Sequence, residues 1–144
     1  MDQVQNKLAE LKLTPSNSIV IGSGILNALN IRESADIDLI VTKEKYYELS
    51  KNPRFTIVQK HADIEFEVLS DDIFEIGFSW TVINKTWSFS DMLEHSIVID
   101  NVRYITIQFL LEVKQSWLNN NFARPKDIDD IRLIENYIAT HNNH

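Results

Sequence analysis

Two short clusters in this chain carry residue types whose spacing could do chemistry: Gly22-Ser23-Gly24 and Asp36-Ile37-Asp38. The chain has three glycines, and two of them lie in the first cluster. Glycines so placed serve a sharp backbone turn or the close approach of another group. A loop that feeds a helix N-terminus offers free N–H groups and a positive dipole end, which is a phosphate site, and Ser23 adds a hydroxyl donor. A plain tight turn uses glycine in the same way. Other phosphate loops fit poorly. G-x-x-x-x-G-K-[ST] is absent, and G-x-G-x-x-G would need glycine where Asn27 stands.

In a strand, side chains alternate, so Asp36 and Asp38 are expected on one face and Ile37, Leu39 and Val41 on the other. Two close carboxylates repel each other, and a hard divalent cation removes that cost. Mg²⁺ is typically held by one or two carboxylates plus substrate phosphates. A solvated strand edge is the alternative use of an isolated D-x-D. A two-metal phosphoryl-transfer site calls for a third carboxylate. Asp63, Glu65 and Glu67 alternate with Ile64, Phe66 and Val68 on the next clear strand. We take Glu65, the central acid; alternation alone leaves Asp63 and Glu67 open, because it does not fix register.

The elements that must position these groups follow from periodicity. Residues 2–11 read as a helix, Pro15 breaks the chain, and 18–21 is a short apolar strand running into the glycine loop. A buried helix is predicted over 25–30, a strand over 37–42 and a short helix over 43–50. Extended chain is predicted over 54–58 and a strand over 63–69. The stretch 71–93 is aromatic and carries no clear period. Residues 97–99 and 102–105 flank Asp100-Asn101 as a hairpin. Two helices close the chain, over 106–118 and 125–139. Pro125 suits a first helical position, Asp127, Asp129 and Asp130 complement the dipole, and Ile128, Ile131, Ile134 and Ile138 form the apolar stripe. The expected fold class is α+β: one domain over 1–144, with a mixed sheet in a core over about 18–105 and a helical part over about 106–141.

Two basic residues stand in unusual places. Lys114 has Leu110, Leu111, Trp117 and Leu118 as its helix neighbours. It either snorkels outward or meets an anion at a cleft. Arg32 could grip a triphosphate bidentately or balance Glu33 and Asp36. Arg124 and Lys126 are expected to orient the last helix or pair with Asp127. Trp80, Trp87 and Phe89 could line a base pocket, and core packing is the expected use.

The net charge of −7, from 21 acids against 14 bases, argues against an extended nucleic-acid surface. There is no cysteine, so disulfides and thiolate sites are excluded. The four histidines are scattered, which does not suit zinc. No apolar run approaches a membrane span, and residues 1–10 carry no secretory pattern. A cytoplasmic protein is the expectation.

Strand, Gly22-Ser23, helix, Asp36-x-Asp38 and a later single carboxylate together resemble the nucleotidyltransferase superfamily named after DNA polymerase beta. Arg32-x-Ser34-x-Asp36-x-Asp38 looks like the R-x-S-x-D-x-D of abortive-infection nucleotidyltransferase toxins. Arg124-Pro125-Lys126-Asp127-Ile128-Asp129-Asp130 is similar to the K-D-x-x-D ending they share with aminoglycoside and lincosamide nucleotidyltransferases. The resemblance covers roughly residues 19–137. It implies that Asp36, Asp38 and Glu65 bind two Mg²⁺ ions (or Mn²⁺) and act in catalysis. It also implies that Gly22, Ser23, Gly24, Arg32, Ser34 and Lys114 hold a nucleoside triphosphate. The implied reaction moves NMP to a hydroxyl on a small molecule, a tRNA or a protein and releases pyrophosphate. A homodimer or an antitoxin is the implied protein partner. The alternative is a catalytically silent module of the same fold.

Overall fold

The computed structural model describes residues 2–34, 36–61, 65–121 and 123–141, with the side chains of residues 2, 3, 59–61 and 65–67 outside that description. In chain order the elements are α1 (Asp2–Glu10), β1 (Ser18–Ile21), α2 (Gly24–Ala28), β2 (Ile37–Val41) and α3 (Lys43–Ser50). Then come β3 (Thr56–His61), β4 (Glu65–Ser70), β5 (Phe74–Gly77), β6 (Ser79–Val82), β7 (Lys85–Ser88) and α4 (Phe89–Met92). A hairpin of β8 (Ser96–Ile99) and β9 (Val102–Ile105) leads to α5 (Ile107–Asn119) and α6 (Pro125–His141). The described residues form a mixed α+β fold, with a seven-stranded sheet in the order β3-β4-β5-β2-β1-β9-β8 and a separate β6–β7 hairpin.

The centre of the sheet is where the sequence is most apolar. All four residues of β1 are buried, as a strand covered on both faces requires. It runs antiparallel to β2 and parallel to β9, while β2 runs parallel to β5. Local chemistry explains the helix starts. Thr42 accepts a hydrogen bond from the Lys45 N–H at α3, and Thr106 accepts one from Phe109 at α5. Ser88 and Asp91 form a reciprocal capping box on α4. Asp100 and Asn101, both at positive φ, make the tight β8–β9 turn.

The aromatic stretch 71–93 resolves into β5, a hairpin and α4. Its β6–β7 turn is Ile83-Asn84, at φ 53° and 58°. A β-branched residue in the left-handed region is disfavoured, so this turn carried no local signal. Packing sustains it: Trp80 pairs with Trp87 across the hairpin, and Trp87 meets the Phe109 ring at 5.0 Å between centroids. Trp80, Trp87 and Phe89 thus serve the core, as expected. Among the described residues, no helix is long and apolar enough to cross a membrane.

Candidate functional site

The glycine loop begins where β1 ends. Ile21 pairs with Asp38, and Gly22 follows at φ 64°. A Cβ on Gly22 would stand 3.2 Å from Asp38 Oδ2, so the half-buried carboxylate lies directly against the loop backbone. Gly24 is needed for a different reason. A Cβ there would come within 2.2 Å of Val20 Cγ1, and its absence lets α2 start against the sheet. That helix has five residues, Gly24–Ala28, shorter than the 25–30 stretch suggested. Its dipole is correspondingly small.

Register assigns the other acids. Residues paired across neighbouring strands share a face. Asp38 is level with Glu75 of β5, and Glu75 with Ser70 of β4; Leu39, Ile76 and Leu69 form the next row, on the opposite face. By strand parity position 65 matches Leu69 and not Ser70, the residue of β4 level with Glu75. It also lies five residues before Ser70, roughly 17 Å along the strand from the level of Asp38. Glu65 is therefore not brought to the Asp38 row by this pairing; Glu75 is. The reason is that β4 runs antiparallel to β5 and carries its N-terminal end away from the loop. Asp63 lies outside the described residues.

Asp36 stands before the first residue of β2, so strand alternation does not reach it. It is exposed and lines a cavity of about 20 Å³ with Val4, Val20, Ser34, Ile37 and Tyr104. Val20 and Ile37 belong to the face away from Asp38. The expected pairing of Asp36 with Asp38 on one face is thus not what the backbone imposes. Ser34 donates to the Asp36 carbonyl at 3.4 Å, a long contact within the turn into β2.

Both unusual cations are engaged by α6. Arg32 donates from Nε to Asp130 Oδ1 at 2.6 Å and from Nη2 to Oδ2 at 2.7 Å. The same Nη2 donates to Ser23 Oγ at 2.9 Å, and Nη1 donates to the Glu33 carbonyl at 2.7 Å. Lys114 is 2% exposed and neither snorkels nor opens to a cleft. Its Nζ donates to Asp127 Oδ1 at 2.7 Å and pairs with Asp130 Oδ2 at 3.1 Å. Arg124 also pairs with Asp127, as expected, through its backbone N–H at 2.9 Å and its Nε at 3.2 Å. Lys126 is exposed.

Burial alone would raise the Asp127 carboxyl, but hydrogen bonds from Lys114 and Arg124 hold it down to about 2. Asp130 is likewise opposed by burial and lowered on balance, by Arg32 and Lys114. The Arg32 guanidinium is raised by its hydrogen bond to Asp130, against burial. That Asp127 and Asp130 are the buried partners of Lys114 and Arg32 is not part of the sequence reading. A signal existed: 127, 130, 131 and 134 have the i, i+3, i+4, i+7 spacing of a buried stripe. The sequence reading phases the stripe on Ile128, which is 37% exposed.

Carboxylates are the ligand type that a hard cation takes. Carboxylates stand at the same level on neighbouring strands, beside a loop whose Gly22 admits close approach. Among the described residues, no group of three or more His, Cys, Asp or Glu is gathered as a metal cluster. No model of a known protein family matches the chain, and no curated protein matches it.

Proposed function

We propose that this protein is a magnesium-dependent nucleotidyltransferase that moves NMP from a nucleoside triphosphate to a hydroxyl acceptor. The observation that carries the reading is the Asp38 carboxylate lying against the Gly22 turn, with Ser23 beside it. A strand-borne acid touching a glycine loop is what a metal–triphosphate site needs, since phosphate and carboxylate must share a cation. Asp38 and Glu75 would hold Mg²⁺, whose contribution is to neutralise the triphosphate and the departing pyrophosphate. The resemblance in the Gly-Ser and D-x-D motifs supports the same reading.

The chain's own groups then have distinct tasks. Gly22 and Ser23 hold the phosphates, through the backbone and a hydroxyl donor. The acceptor oxygen bonds to the α-phosphorus, and the bond to the β-phosphate oxygen breaks with its electron pair leaving on pyrophosphate. The acceptor proton passes to a carboxylate, for which Glu75 replaces Glu65 because it is level with Asp38. Most of the rate enhancement is positioning and charge neutralisation.

The test is incubation of the protein with Mg²⁺, cell extract and each labelled nucleoside triphosphate in turn. Label should appear on an acceptor, and Glu75→Gln should cut the rate by roughly 10²–10⁴, the usual worth of a general base, while Glu65→Gln changes it little. If Glu65→Gln carries the loss, the assignment of the base is wrong. If wild type labels nothing with any nucleotide, the transferase reading fails.

A second reading, a binding module of this fold without catalysis, draws on one observation. Arg32 and Lys114, the two cations expected on phosphate, are held by Asp127 and Asp130. It predicts nucleotide binding with no transfer.

A further inference from the structure

Arg32 links two parts of the chain that the sequence keeps far apart. On one side its guanidinium fork grips both oxygens of Asp130, which is 1% exposed on α6. On the other, the same Nη2 donates to Ser23 Oγ in the glycine loop. Ser23 occupies the position before α2, yet its side chain makes no capping hydrogen bond there. Its oxygen is turned to Arg32 instead. A guanidinium can only donate, whereas a hydroxyl has one proton of its own to give. With Arg32 filling its acceptor side, the Ser23 proton is directed to another acceptor.

We infer that Asp130 is a positioning residue for the glycine loop: it aims Arg32 so that Ser23 is held as an oriented donor to a triphosphate oxygen. The inference rests on the nucleotide-binding reading above and adds α6 to the machinery that serves it. The bidentate contact fixes the plane of the guanidinium, and a fixed plane fixes where Nη2 meets Oγ. Lys114, at 3.1 Å from Asp130 Oδ2, steadies the first end of the relay, and the Glu33 carbonyl, which accepts from Nη1, steadies its middle. A donor set before the ligand arrives needs no reorganisation on binding. Asp130 itself touches no substrate atom in this scheme.

A double-mutant cycle separates this role from simple attachment of α6. Isothermal titration calorimetry of the full chain would use Mg²⁺ with the α,β-methylene analogues of the four nucleoside triphosphates. Asp130→Asn should weaken binding by about tenfold, the worth of one charge-assisted hydrogen bond. In a Ser23→Ala background the same change should cost less than about twofold, because the relay then has no terminus. An equal loss in both backgrounds overturns the inference, since α6 would then act on the whole fold. If Asp130→Asn does not fold, Arg32→Lys takes its place. It keeps the ion pair with Asp130 but lacks the second arm that reaches Ser23, and the same contrast between backgrounds is expected. Additive losses for Arg32→Lys overturn the relay alone. A wild-type protein that binds none of the analogues overturns the nucleotide reading, and the relay with it.

Discussion

Charge is handled in opposite ways on the two sides of Ser23. Between α5 and α6, Lys114, Asp127 and Asp130 are nearly out of water, at 2%, 1% and 1% exposure, and each faces an opposite charge. On β2 and β5, Asp38 and Glu75 are half-buried acids on one row of the sheet, level with each other. Buried opposite charges are costly to separate, whereas like charges at one level favour a cation between them. The same residue types are thus paired with opposite charge in one place and stand level with like charge in the other.

Removing Lys114 is the strongest way to break that contrast. Lys114→Met leaves Asp127 and Asp130 buried with one cation fewer, and breaking a buried pair from one side costs about 3–5 kcal/mol. Denaturant unfolding should show that loss as a lower midpoint. A change under about 1 kcal/mol would mean that the helix hairpin does not depend on the pair.

The acid row should respond to ligand instead. With Mg²⁺ and a nucleoside triphosphate at about 100 times the dissociation constant, wild type should gain roughly 2.7 kcal/mol of stability. Asp38→Asn should lose most of that gain. Melting curves with EDTA and with Mg²⁺ plus nucleotide measure both. A wild-type curve that does not move would remove the site half of the comparison.

The smallest expected effect concerns acid. Asp127 is held to about 2, and Asp130 is shifted the same way. A carboxyl depressed in the folded state contributes stability above its unfolded value near 4, and that contribution is lost as pH falls through the folded value. Stability should therefore drop between about pH 4 and pH 2, by on the order of 1 kcal/mol for Asp127. In Lys114→Met the step should shrink, because the largest opposing hydrogen bond is gone. An unchanged step would assign the acid sensitivity to other carboxyls.

The sequence alone determined what depends on neighbours along the chain. The apolar run of β1, the glycine loop behind it, the Asp100-Asn101 turn and the two closing helices were all legible, because period, turn chemistry and capping act over a few residues. The Ile83-Asn84 hairpin was not, because its turn goes against local preference and is held by Trp87 on Phe109. The site divides along the same line. Alternation assigns faces within a strand, but which acid stands level with Asp38 is decided by how β5 pairs with β2 and β4 with β5, and those pairings bring Glu75 rather than Glu65 to the row. Alternation also ends one residue short of Asp36. Lys114 was recognisable as a charge in an apolar stripe, yet its partners lie on another helix. Only the packing of α5 on α6 brought Asp127 and Asp130 to it, because a buried charge is settled by what the fold places opposite.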